Sequence, residues 1–132
     1  MKRIVIDTNV IVSSILTPTG NPAAVKDLVF NGEVEMFFSA EILDEYERVL
    51  SYEKLNIAPM TKAGIIKSIH ELGSLVEPIA RNMPIPDEDD RIFYDTAKES
   101  GATLITGNIK HYPTEPFIMT PSDFLASLEN DE

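Results

Sequence analysis

Apolar positions along this chain fall into two patterns. Short unbroken runs suit strands buried on both faces, and apolar residues three or four apart suit helices. The first run is Ile4-Val5-Ile6, and residues 3–7 are predicted as a strand ending in Asp7. A helix from Asn9 to Leu16 follows, with Thr8 or Asn9 near its cap, and the cluster Thr17-Pro18-Thr19-Gly20-Asn21-Pro22 breaks it. Val25, Leu28 and Val29 support a short helix over 23–31, closed by Asn31-Gly32. Residues 35–39 read as a second strand. Ser39 then caps a helix over 40–52 whose apolar stripe is Ile42, Tyr46, Val49 and Leu50. Beyond a linker containing Pro59, Thr61 is predicted to cap a helix that reaches Leu72. Residues 74–79 read as a short edge strand, because Pro78 has no amide to donate. After a loop at 82–86 the pattern gives a helix over 87–100, stopped by Gly101, and a buried strand over 102–106. A last strand at 117–119 and a helix at 121–128 complete the series, and residues 129–132 are expected to be a disordered acidic tail.

Strands alternating with helices argue for a parallel sheet covered on both faces with right-handed crossovers. The predicted fold is therefore a three-layer α/β/α sandwich with a mainly parallel central sheet, formed by residues 1–132 as a single domain. In such a sheet, ligands bind beyond the carboxyl ends of the strands. Asp7, at the end of the first strand, is thus either a ligand-binding acid or only the cap of the next helix.

Composition narrows the chemistry. The chain has no cysteine, so it offers neither a disulfide framework nor a thiolate site. No apolar segment is long enough to span a membrane, and the run after the basic residues Met1-Lys2-Arg3 is too short for a signal peptide, so a soluble, cytoplasmic protein is expected. The net charge is −11, from 22 acids and 11 bases, which does not give the basic footprint of a general nucleic-acid binder. It does allow an acidic pocket that takes hard cations through carboxylate oxygens.

In a parallel sheet the strand ends at Asp7 and Thr106 share one rim, and Asn108 lies just beyond. Glu45, in the second turn of the helix after strand two, lies at one flank of its apolar stripe, and Glu47 lies at the other; periodicity does not choose between them. The run Asp87-Glu88-Asp89-Asp90 suits a helix N-terminus, where acids complement the dipole, but four acids exceed what a cap needs. Asp95 adds a carboxylate, or else pairs on the surface with Arg91 or Lys98. Clustered carboxylates without cysteine or histidine partners suit Mg²⁺ or Mn²⁺ better than Zn²⁺. His70 and His111 are isolated in sequence and read as structural or without a role. No phosphate-binding glycine loop, dinucleotide fingerprint or nucleophile elbow is present.

Four stretches together resemble the PIN-domain (PilT N-terminus) nucleases, and within them the toxin components of bacterial and archaeal toxin–antitoxin systems. They are Ile4-Val5-Ile6-Asp7-Thr8-Asn9-Val10, Glu45 on its helix, Asp89-Asp90-Arg91-Ile92-Phe93-Tyr94-Asp95-Thr96-Ala97, and Ala102-Thr103-Leu104-Ile105-Thr106-Gly107-Asn108 with Lys110-His111-Tyr112 behind it. The resemblance implies a Mg²⁺- or Mn²⁺-dependent endoribonuclease in which Asp7, Glu45 and Asp90 are the catalytic acids. Asp7 and Asp90 would hold the ion directly and Glu45 directly or through water. Asn9, Thr106 and Asn108 would support them. Asn108 stands where the family often carries a fourth acid, and Asp95 is a candidate to replace that charge. Arg91 and Lys110 are candidate substrate contacts, with Lys2, Arg3 and His111 also expected near the rim. The resemblance further implies an RNA substrate, a cognate antitoxin and a homodimer. One rival is a catalytically inactive PIN-fold binding or regulatory module, favoured by Asn108 and the scarcity of bases. Another is a receiver- or phosphatase-like domain. A phosphatase site of the dehalogenase type would need an acid two residues after Asp7, where Asn9 stands.

Overall fold

Ile4, Val5 and Ile6 are almost wholly buried in the computed structural model, which describes residues 1–130. This run forms β1 (Arg3–Ile6), the middle strand of a five-stranded sheet. The others are β2 (Glu35–Phe38), β3 (Ser74–Leu75), β4 (Thr103–Ile105) and β5 (Ile118–Met119), in the order β3-β2-β1-β4-β5, and every pairing is parallel. Among the described residues there are six α-helices: α1 (Thr8–Leu16), α2 (Asn21–Phe30), α3 (Ala40–Leu50), α4 (Pro59–Leu72) and α5 (Arg91–Ser100) lie in the connections between β1, β2, β3 and β4, and α6 (Pro121–Asn130) follows β5. The result is the three-layer α/β/α sandwich that the alternating pattern predicts.

Strand order decides where a site can form. The chain winds outward from β1 through β2 to β3, then crosses back to β4 on the other side of β1. The gap between the carboxyl ends of β1 and β4 is therefore the topological switch point, where open α/β sheets leave a crevice. Ile4, Val5 and Ile6 pair with Thr103, Leu104 and Ile105. That register sets Asp7 beside Thr106 at the rim, and the Asp7 amide donates to the Ile105 carbonyl at 2.9 Å.

Several boundaries differ from the sequence prediction, each for a local reason. Helix α4 starts at Pro59 rather than Thr61, because proline at the first helical position has a preset φ and lacks only an amide that would be unpaired there. The predicted strand at 74–79 shortens to two residues; Val76 still donates to the Phe38 carbonyl at 2.9 Å, but Pro78 cannot extend the ladder. The helix predicted from Asp87 begins as a single 3₁₀ turn at Glu88–Asp90, with Asp87 Oδ1 accepting from the Asp89 amide at 3.0 Å, and becomes α-helical at Arg91. Gly101 ends α5 in the left-handed region at φ 62°, a conformation that favours glycine. Helix α6 runs on to Asn130, so Glu129 and Asn130 are helical rather than tail; residues 131–132 of the expected tail lie outside the described residues.

Candidate active site

Asp7 occupies the N-cap position of α1 with extended backbone, yet its side chain makes no capping bond. Its Oδ2 instead accepts from Thr106 Oγ1 at 2.8 Å, Tyr112 Oη at 2.8 Å and Asn9 Nδ2 at 3.3 Å. Both sequence readings of Asp7 therefore hold for different parts of the residue: the backbone is at the cap, and the carboxylate faces the crevice. Asn9 is held in turn by the Gly107 amide, 3.0 Å from its Oδ1, and the Asn108 amide donates to Thr106 Oγ1 at 3.0 Å. The ends of β1 and β4 are thus tied together around one carboxylate oxygen.

The choice between Glu45 and Glu47 is made by α3. Its buried Tyr46 donates from the phenol to the Ile6 carbonyl, which locks the helix against the end of β1. Glu45, one residue earlier, is carried to the rim, where its carboxylate accepts from Thr8 Oγ1. Glu47 is exposed and lines a separate hollow against α4.

Asp90 enters from the 3₁₀ turn before α5 and meets His111 Nδ1 at 3.1 Å. One ligand atom each from Asp87, Asp90 and His111 lies within 4.8 Å of the others. His111 thus joins the acids in space although it is isolated in sequence.

The charge of Asp7 perturbs the other two acids. Burial raises the Asp7 carboxyl above its ordinary value, and the hydrogen bonds from Thr106 and Tyr112 oppose it. Burial also raises Glu45, the Thr8 bond opposes, and the charges of Asp7 and Asp89 push it further up. Asp90 is pushed up to about 6, by burial first and then by the charge of Asp7, against the hydrogen bond with His111. The Tyr112 hydroxyl is raised by burial and by Asp7, so it stays a donor. Such repulsion between carboxylates is what a divalent cation would relieve, and hard oxygen donors suit Mg²⁺ or Mn²⁺. The carboxylate oxygens of Asp7, Glu45 and Asp90 fit such an ion, and the grouping of Asp87, Asp90 and His111 would add an imidazole nitrogen to them.

Other predicted residues lie elsewhere. Asp95 is 5 % exposed and turned toward the segment before the acidic run: its Oδ2 accepts from the Arg81 amide at 3.4 Å, and its Oδ1 has no partner. It is not brought against Asp7. Arg91 is not a free substrate contact, because its guanidinium holds Glu88 at 2.7 Å and the Met83 carbonyl at 2.7 Å. Arg3 is at the wrong end of the sheet. It opens β1, about 13 Å of strand away from Asp7, donates to the Ser100 carbonyl at 3.3 Å and lies over the Phe37 ring. Lys2 precedes it on the same side, so neither residue reaches the rim. Lys110 is exposed and lines a hollow with Asn108, His111 and Thr120. Sequence reading gave Thr8 only a place near the helix cap and assigned no role to Tyr112. The signal for Tyr112 was available, since a hydroxyl-bearing aromatic follows a polar loop just past a strand end.

A PIN-domain family profile matches residues 3–110. The chain belongs to the PIN-domain family. Uncharacterized protein MJ1680 of Methanocaldococcus jannaschii is 32% identical over 109 residues, covering 80% of this chain and 70% of that protein. In fold, this PIN domain is similar to the crystal structure of VapBC2 from Rickettsia felis bound to a DNA fragment from their promoter. The TM-score is 0.58 at 16% identity, over 89% of this chain and 96% of the other.

Proposed function

We propose that this PIN domain is a Mg²⁺- or Mn²⁺-dependent endoribonuclease that hydrolyses RNA phosphodiester bonds, and that it is the toxin of a toxin–antitoxin pair. The nuclease reading is supported by Asp7 at the switch-point rim, by Glu45 held there through Thr8 and Asp90 through His111, and by the Asp7 charge, which raises both of the other carboxyls. Asp7 and Asp90 would hold the ion, with Glu45 beside them. When bound, the ion would neutralise charge on the phosphate and lower the pKa of water. The protein supplies orientation. Thr106, Tyr112 and Asn9 fix one oxygen of Asp7, and Thr8 fixes Glu45, so the acids meet their ligand with little reorganisation. The toxin assignment is supported by the motif resemblance and by the likeness in fold to VapBC2. A cognate antitoxin, a homodimer and a cytoplasmic location are proposed with it; no described helix is long and apolar enough to cross a membrane.

The test is cleavage of an unstructured RNA with Mg²⁺ or Mn²⁺, with chelator, and by Asp7→Asn. Metal-dependent cutting that the variant loses supports the reading, and equal cutting by wild type and variant sinks it. A non-catalytic PIN module is the second reading. Asn108 favours it, being neutral, exposed and without a side-chain bond to Asp7 or Asp90. Ion binding without cleavage would establish that alternative.

A further inference from the structure

Three hollows adjoin the acidic site and run into one another. The first, about 360 Å³, lies between α1 and the end of α3 and is lined by Thr8, Asn9, Val49, Tyr52, Lys54 and Leu55 among others. It shares Asn9 and Ser13 with a second, of about 220 Å³, which shares Gly107 and Thr120 with a third, of about 340 Å³, at Lys110 and His111. The track passes Thr8 and Asn9, the residues that hold Glu45 and Asp7. Among the described residues that line it there is no aspartate or glutamate, in a chain with twice as many acids as bases. Its charged side chains are Lys54 at one end and Lys110 at the other, with His111 beside it.

The first hollow also contains the chain's one solvent-accessible tyrosine. Tyr52 is 38% exposed, whereas Tyr46, Tyr94 and Tyr112 are buried. It projects from the turn after α3. Arg48 Nη1 donates to its hydroxyl at 3.0 Å, and Lys54 Nζ is 5.8 Å from its ring centroid. A planar ring flanked by two cations beside a phosphate-cleaving site is the arrangement that takes an unstacked base and its backbone. An acidic peptide could use the cations but would gain little from the ring.

We propose that the hollow at Tyr52 and Lys54 binds single-stranded RNA next to the scissile phosphate, with a base stacked on Tyr52 and a backbone phosphate against Lys54. The proposal rests on the nuclease reading for the identity of the strand. It also accounts for an acidic protein acting on a polyanion: two of its 11 bases, Lys54 and Lys110, lie on a track whose described lining carries no acid.

The chain has no tryptophan, so Tyr52→Trp installs a single reporter. In an Asp7→Asn background, which leaves the strand uncut, a short unstructured oligoribonucleotide should change the emission of that tryptophan. The same strand annealed to its complement should not, because duplex bases are not free to stack. By fluorescence anisotropy with a labelled strand, Tyr52→Ala should weaken binding about tenfold. Lys54→Ala should reduce the slope of log K against log salt by about 0.7, the share of one phosphate on a single strand. Tyr52 and Lys54 are exposed, so these variants should fold, which circular dichroism checks. A silent reporter together with unchanged affinity for Tyr52→Ala overturns the proposal, and so does an equal response to a polyglutamate peptide. If wild type cuts RNA in an Asp7-dependent manner while the reporter is silent and Tyr52→Ala keeps full affinity, the groove fails and the nuclease stands. If the reporter responds but wild type leaves RNA intact with Mn²⁺, the groove stands and the nuclease reading fails.

Discussion

Asp7 shows how one side chain is made ready for a ligand. Three donors converge on Oδ2, and burial works against the charge they support. Hydrogen bonds to an ionised group contribute about 1.5–3 kcal/mol each. Tyr112→Phe keeps the buried ring and removes one of them. It should lower kcat of the proposed RNA cleavage roughly tenfold, with KM little changed, and cost about 1–2 kcal/mol in urea unfolding at neutral pH. Unchanged kcat would remove Tyr112 from the group that positions Asp7. Asp90 gives a prediction in pH. Its carboxyl is raised from 3.8 to about 6, so between those values the folded state binds the proton that the unfolded state has released. Stability in chelator should therefore fall as pH rises from about 4 to about 6 and stay low above. Partial exposure screens the effect, which leaves roughly 1–2 kcal/mol. Asp90→Asn should reduce this slope, leaving the part due to the raised carboxyls of Asp7 and Glu45, and be the more stable protein at neutral pH without metal. Urea titrations on either side of pH 6 compare the two.

At the scale of elements, α4 meets the sheet through a glycine. A Cβ at Gly73 would lie 2.8 Å from the Ile69 carbonyl oxygen and 2.9 Å from the Phe38 ring. The close approach lets the chain turn directly from α4 into β3. Gly73→Ala should cost about 1–3 kcal/mol, since neither backbone nor a buried ring yields easily. Gly64 lies in the same helix, and a Cβ there meets nothing within 4 Å. Gly64→Ala should stabilise by about 0.5–1 kcal/mol through helix propensity. Thermal unfolding of the two variants against wild type measures opposite signs. Helix α3 was legible in the sequence because its stripe is regular and Ser39 caps it, accepting from the Ile42 amide at 3.2 Å. Which of its two flanking glutamates reaches the site was not legible, because that depends on where Tyr46 is anchored.

For the whole molecule, a few of the 22 acids come close enough for their charges to act on one another, which a cation can relieve. Asp7, Glu45 and Asp90 come from three separate segments and all carry raised carboxyls. Mn²⁺ should raise Tm by mass action, with a gain of about 2.7 kcal/mol at a hundred times Kd. Asp7→Asn should abolish most of that gain. An equal rise in wild type and variant would place the binding ion elsewhere on the surface.

Local pattern settled the elements of this protein. Apolar runs and helical stripes gave the alternation of strands and helices, and so the layered parallel sheet. Strand ends brought Asp7 and Thr106 into view and the acidic run brought Asp90, whereas only the family resemblance singled out Glu45. Tertiary structure decided which side chains meet. Strand direction removed Arg3 from the rim, the 3₁₀ turn brought His111 to Asp90, and a local clamp occupied Arg91. Burial withdrew Asp95 from the site and placed Tyr112 on Asp7. Those outcomes depend on contacts between residues as far as 105 apart in sequence, as with Asp7 and Tyr112, and local periodicity holds no information at that separation.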